Sequence, residues 1–102
     1  MGNFVKVATT QELPPGQAKL VEAGGHSIAL FNLGGSFYAI DNICTHAGGS
    51  LSEGMVEGEQ VECPWHGARF DVKTGAALTP PAFENAASYK VRVSGSDIEV
   101  EV

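Results

Sequence analysis

The sequence predicts an all-β fold, an antiparallel β-sandwich or a partly open barrel, interrupted by a long loop-rich segment. Short runs of alternating apolar and polar residues are separated by glycine turns, and no segment keeps helix periodicity beyond a turn or two. Glycine supplies 13 of the 102 residues, as a chain of many tight turns requires. The length and a hydrophobic content of 43% are those of one ordered domain spanning 1–102, with a modest core.

Taken in order, Phe4–Val7 alternates weakly, and Thr10–Pro15 has room for one helical turn, stopped by Pro14-Pro15-Gly16. Lys19–Glu22 and Ser27–Asn32 flank Gly24-Gly25. Phe37–Ile40 follows Leu33-Gly34-Gly35-Ser36, a strong hairpin signal because two glycines tolerate positive φ at both central positions. Near the end, Tyr89, Val91 and Val93 alternate with Lys90 and Arg92. After a turn at Gly95-Ser96, Ile98, Val100 and Val102 alternate with Glu99 and Glu101. That pair reads as a half-buried hairpin with one face in water. The middle, 41–81, is loop-rich, with Ala47-Gly48-Gly49-Ser50, Glu57-Gly58-Glu59 and Thr79-Pro80-Pro81. Loops this long inside a compact domain carry function, and both cysteines and two of the three histidines lie here.

Twelve acidic and six basic residues give a net charge of −6. With no run of Lys or Arg, nucleic acid and anionic membranes are poor partners. An acidic surface either steers the chain toward basic protein patches or only maintains solubility. No apolar stretch approaches a membrane span, and Met1-Gly2-Asn3-Phe4-Val5-Lys6 is not a secretory leader. The expectation is a cytoplasmic chain, in which two cysteines serve as metal ligands or free thiols more often than as a disulfide.

Cys44-Thr45-His46 is followed, after sixteen residues, by Cys63-Pro64-Trp65-His66. Each loop offers one thiolate and one imidazole, so four soft or borderline donors can converge. A mononuclear Cys₂His₂ zinc site and a 2Fe–2S cluster with both cysteines on one iron and both histidines on the other each fit. Zinc fingers usually group like ligands and carry the histidines on a helix; mixed loops without a helix favour the binuclear cluster. Zinc, coincidence and a disulfide stay open on spacing alone.

Cys44-Thr45-His46-Ala47-Gly48-Gly49, taken with Cys63-Pro64-Trp65-His66-Gly67-Ala68-Arg69-Phe70-Asp71, closely resembles the Rieske C-x-H…C-x-x-H signature. Phe37-Tyr38-Ala39-Ile40, Thr74-Gly75, Pro80-Pro81 and Tyr89-Lys90-Val91 extend the likeness over nearly the whole chain. The resemblance implies a Rieske-like fold with a cluster-binding subdomain over about 41–81. It also implies one 2Fe–2S cluster held by Cys44, His46, Cys63 and His66, the histidines through Nδ1 with Nε2 at the surface. Pro80 and Pro81 read as a stiff third loop shielding the cluster or as a mere turn, and Gly48, Gly49 and Gly67 let backbone N–H groups come close to its sulfurs. Trp65 either packs over the cluster or serves a docking surface. His26, far from both loops, reads as a surface histidine. Asp41, Glu53, Glu57, Glu59 and Glu62 form a loose acidic set near the loops and read as ordinary solvated charge, with partner steering as the alternative.

Two ferric ions, two sulfides and two thiolates sum to zero with neutral imidazoles, so reduction is easier than in a four-thiolate centre. High-potential Rieske proteins of quinol-oxidising complexes carry a second cysteine in each loop, joined as a disulfide, and serine and tyrosine hydroxyls that bond cluster sulfurs. Gly49, Trp65, Ala68 and Phe70 stand at what correspond to those positions. Two absent bonds of ~1 kcal/mol each lower a one-electron potential by on the order of 100 mV. The expectation is the lower part of the Rieske range of about −150 to +300 mV.

The resemblance points to a soluble, monomeric one-electron carrier with no catalytic residues of its own. It would accept electrons from a flavin-containing reductase and pass them to a terminal oxygenase. The alternatives are a small subunit resembling that of assimilatory NADH-dependent nitrite reductase and a structural zinc module.

Overall fold

The computed structural model describes residues 3–43, 50–64, 68–78 and 85–102. Among them are ten strands in three antiparallel sheets. The first sheet has the order β1-β10-β9, formed by Phe4–Thr9, Asp97–Glu101 and Val91–Ser94. The second has the order β2-β3-β4-β8, formed by Ala18–Ala23, His26–Leu33, Ser36–Asp41 and Ser88–Tyr89. In the third, β5 (Met55–Glu57), β6 (Gln60–Glu62) and β7 (Arg69–Asp71) lie side by side. The all-β expectation holds, as an open packing of sheets with no closed barrel among the described residues.

Strand β3 explains why Ile28-Ala29-Leu30-Phe31 shows no apolar/polar alternation. All four are completely buried, because a core lies against each face of the sheet. Ile28 and Leu30 pack with Ala8, Leu13, Val21, Ala39, Ile98 and Val100. Ala29 and Phe31 pack with Ile40, Leu51, Val61, Cys63, Ala68, Phe70, Val72 and Ala86. Burying a side chain the size of Leu or Phe contributes ~1.5–3 kcal/mol, so β3 ties the two cores together. The turn into β4 uses Gly34 and Gly35 at φ of 63° and 101°, the positive-φ pair that the sequence predicts. Buried Asn32 closes that corner: its Nδ2 donates to the Leu13 carbonyl at 2.8 Å and its Oδ1 accepts the Gly35 N–H at 2.7 Å.

A 3-10 turn occupies Thr10–Glu12, where one helical turn is expected. Glu12 accepts from the Thr9 backbone N–H and hydroxyl, which holds its carboxyl below the usual carboxylate range.

Two elements differ from expectation. The run from Tyr89 to Val93 is not one hairpin arm: Ser88–Tyr89 pairs with β4, while Val91–Ser94 pairs with β10. The chain changes sheets at Lys90, as corners between packed sheets do. The segment 41–81 also holds a sheet of its own, β5-β6-β7, which three-residue strands are too short to announce. Among the described residues no helix is long and apolar enough to cross a membrane.

Candidate metal centre

Of the four candidate ligands, Cys63 lies among the described residues; Cys44, His46 and His66 lie outside them, as do Trp65, Gly48, Gly49, Gly67, Pro80 and Pro81. What the structure fixes is the set of anchor points from which the three loops depart.

The first loop is anchored by Asn42, which is 3% exposed. Its Nδ2 donates to Ser50 Oγ at 2.9 Å, its Oδ1 accepts the Ser52 N–H at 2.9 Å, and its carbonyl accepts the Leu51 N–H at 2.7 Å. Its own N–H donates to the Ser27 carbonyl at 3.0 Å. Ile43 and Ser50 then form an isolated antiparallel bridge. One buried amide thereby joins both ends of the segment that carries Cys44 and His46. The second loop is closed where the Cys63 N–H donates to the Ala68 carbonyl at 2.7 Å, extending the β6–β7 ladder.

Around the third loop, the Ala77 N–H donates to Asn85 Oδ1 at 2.9 Å and the Ala86 N–H to the Gly75 carbonyl at 2.7 Å. Gly75, at φ +80°, lies so near Ala86 that a Cβ would fall 2.0 Å from its carbonyl oxygen. Glycine is required there by space as well as by dihedral. Gly54 makes a similar approach, its would-be Cβ 2.1 Å from the Glu62 carbonyl.

Leu51, Cys63, Ala68 and Ala86 flank these loops and all belong to one buried cluster, so one core carries all three anchors. Cys63 is 1% exposed, and Ala68 and Phe70 are fully buried beside it. A sulfur donor withdrawn from water, on a hairpin closed by a backbone bond, suits a soft metal group. Two thiols and two imidazoles are the donor set that a Rieske-type cluster takes.

Glu53, Glu57 and Glu59 are exposed, as solvated charge implies, and several of the acidic residues make surface ion pairs or hydrogen bonds. Arg69 lies 3.2 Å from Glu62 and 3.6 Å from Glu57, and Lys73 lies 2.9 Å from Glu59. That hydrogen bond raises the Lys73 ammonium pKa. Asp41 accepts the Tyr89 hydroxyl at 2.5 Å. Burial, reinforced by the Asp41 carboxylate, pushes the Tyr89 phenol up to about 12. His26 is exposed, as expected, with its ring 5.8 Å from that of Tyr89.

Asn42, Asn85 and Gly54 escape the sequence reading. The one available signal is the placement of Asn42 two residues before Cys44, with Ser50 and Ser52 following the loop.

The sequence profile of the Rieske [2Fe-2S] domain matches residues 3–90. The 3-phenylpropionate/cinnamic acid dioxygenase ferredoxin subunit of Shigella boydii is 43% identical over 101 residues, 98% of this chain and 94% of that protein. The ferredoxin of carbazole 1,9a-dioxygenase from Nocardioides aromaticivorans IC177 superposes with a TM-score of 0.92 at 38% identity, covering 96% of each chain. A ferredoxin solved in complex with its oxygenase in carbazole 1,9a-dioxygenase gives 0.90 at 33%, covering 96% of this chain and 92% of that one. A putative NADH-dependent nitrite reductase small subunit from Mycobacterium tuberculosis gives 0.90 at 25%, covering 100% of this chain and 96% of that one.

Proposed function

The chain belongs to the Rieske 2Fe–2S domain family, and on that premise we propose that it is a one-electron carrier serving a terminal oxygenase. In this reading it is a monomeric single domain that accepts electrons from a flavin-containing reductase and holds one cluster through Cys44, His46, Cys63 and His66. The observation that carries the reading is coextensive likeness. The chain covers 94% and 96% of two ferredoxin components, at 43% and 38% identity. The nitrite reductase small subunit matches the fold as fully but at 25%, and a stable complex with a large sirohaem-bearing partner would favour it instead.

When bound, the cluster supplies a one-electron couple, and histidine ligation places that couple above those of four-thiolate centres. The chain's own contribution is to hold the ligand loops on one core, to keep Cys63 from water, and to withhold hydroxyl donors. Ala68 and Phe70 are buried beside Cys63 and have no group to donate. The potential therefore belongs at the low end of the family range.

Protein-film voltammetry tests this. The expected midpoint lies below zero, and Ala68→Ser with Phe70→Tyr should raise it by about 100 mV. A wild-type midpoint well above zero contradicts the low-potential assignment.

A further inference from the structure

The switch of sheets at Lys90 opens a groove that holding a cluster does not require. Strand β8 pairs with β4 only at Ala39 and Ile40, and the chain then joins β10, where Val91 stands opposite Val100. Residues 36–38 of β4 therefore have no partner strand on that edge among the described residues. Backbone groups alternate in direction along a strand. The Asp41 N–H donates across this edge to the Ala87 carbonyl, so the N–H and C=O of Phe37, four residues earlier, face the gap as well.

The groove has a volume of about 640 Å³, within the range of small-molecule sites. Its floor is Phe37, Tyr89 and Val91, which pack onto the core that holds Ile28 and Leu30. One wall comes from the first sheet. Phe4 stands opposite Glu101, and the Glu101 N–H donates to the Lys90 carbonyl at 2.9 Å, so Phe4, Glu101 and Lys90 share a face. Arg92 braces this wall, 4.2 Å from the centroid of the Phe4 ring. The other wall is Tyr38, with the Lys73 ammonium 5.6 Å from its ring centroid. Lys73 is already held by Glu59 at 2.9 Å. Lys90 has no carboxylate within 4 Å among the described residues, although Glu101 is its cross-strand neighbour. Lys90 is thus the cation left for a ligand.

We propose that this groove binds a small aromatic carboxylate, its ring between Phe4 and Tyr38 and its carboxylate on the Lys90 ammonium and the Phe37 N–H. Rings on both walls and on the floor favour an aromatic body over an aliphatic one. A charge-assisted contact joined to a backbone donor favours a carboxylate over a neutral polar head. The open edge is three residues long and ends at the Gly34-Gly35 turn, so an added peptide strand would gain few main-chain bonds. None of these residues is a candidate cluster ligand, and the proposal is independent of the carrier reading.

The test is a ligand-observed NMR titration of the holoprotein with 2-naphthoate. Binding is expected at about 1 mM or tighter. The neutral 2-naphthamide should bind about tenfold more weakly, and the aliphatic decanoate several-fold more weakly. Lys90→Gln should weaken 2-naphthoate binding about tenfold. Glu101→Gln removes the opposing charge and should tighten it about twofold. Both variants should keep the visible spectrum and thermal midpoint of wild type. The two probes without charge or ring need no variant at all. An absence of binding up to about 20 mM, equal affinity for the amide or for decanoate, or an affinity indifferent to both charge changes overturns the proposal. A tripeptide ending in phenylalanine that binds more tightly than 2-naphthoate overturns it in favour of a chain terminus.

Discussion

Strand β3 pairs with β2 over six residues and with β4 over six more, and sends four consecutive side chains into two cores. Strand β6 pairs over three residues on either side and sends one side chain, Val61, fully inward. The large sheets are thus held mainly by apolar burial along extended ladders. The segment bearing the ligand loops shares that burial through Leu51, Val61, Phe70 and Val72 but has only short ladders, and adds point contacts: the Asn42 clamp, the Cys63–Ala68 bond, and the close approaches of Gly54 and Gly75. The difference teaches that the described flanks of the ligand loops are tied to a stable base by short ladders and a few specific contacts.

The sharpest way to break this contrast is Gly75→Ala. The new Cβ meets a backbone oxygen and the residue keeps a positive φ, so a loss of about 3 kcal/mol or more is expected. A denaturant titration checks it. Gly25→Ala shares the positive φ but meets nothing within 4 Å, and should cost about 1 kcal/mol.

A smaller effect is expected from Asn42→Leu, which leaves the Ser52 N–H and the Ser50 hydroxyl without their partner. The cost is about 1–3 kcal/mol, and loss of visible absorbance at fixed temperature should be several-fold faster than in wild type. Asn42→Asp keeps the acceptor for Ser52 and should recover part of the difference. If Asn42→Leu unfolds more easily yet retains its chromophore as long as wild type, the clamp serves the fold and not the site.

The smallest effect concerns the link between the two regions, where the Tyr89 hydroxyl donates to Asp41 at the base of the first loop. The folded pKa of Tyr89 is raised to about 12, above the ordinary value of about 10. Its stabilisation is therefore full below about pH 10 and lost as pH rises through about 12. Tyr89→Phe should cost about 1 kcal/mol at pH 8, and the gap from wild type should close above about pH 11. A gap independent of pH would assign the contribution to ring packing alone.

The same contrast explains what was legible in the sequence. The hairpins β2–β3, β3–β4 and β9–β10 announce themselves, because alternation and glycine pairs are local signals. The switch of sheets at Lys90 leaves no mark, since Tyr89, Val91 and Val93 alternate in the same way whichever sheet they join. Strands β5–β7 are hidden because three residues cannot establish a period. The candidate ligands are legible from their spacing, whereas Gly54 and Gly75 matter through Glu62 and Ala86, contacts that only the folded chain brings together. The pairings of Asp41, Glu57, Glu59 and Glu62 leave no mark in the sequence because their partners Arg69, Lys73 and Tyr89 lie on neighbouring strands or turns.

The most direct measurement is metal and sulfide analysis of the anaerobically prepared protein, joined to EPR of its reduced form. Two loops on one core should yield about two iron and two acid-labile sulfide per chain and a rhombic signal of low average g, and His66→Cys should alter that signal or abolish it. A colourless chain that holds one zinc, or a reconstituted chain with neither iron nor sulfide, contradicts the account.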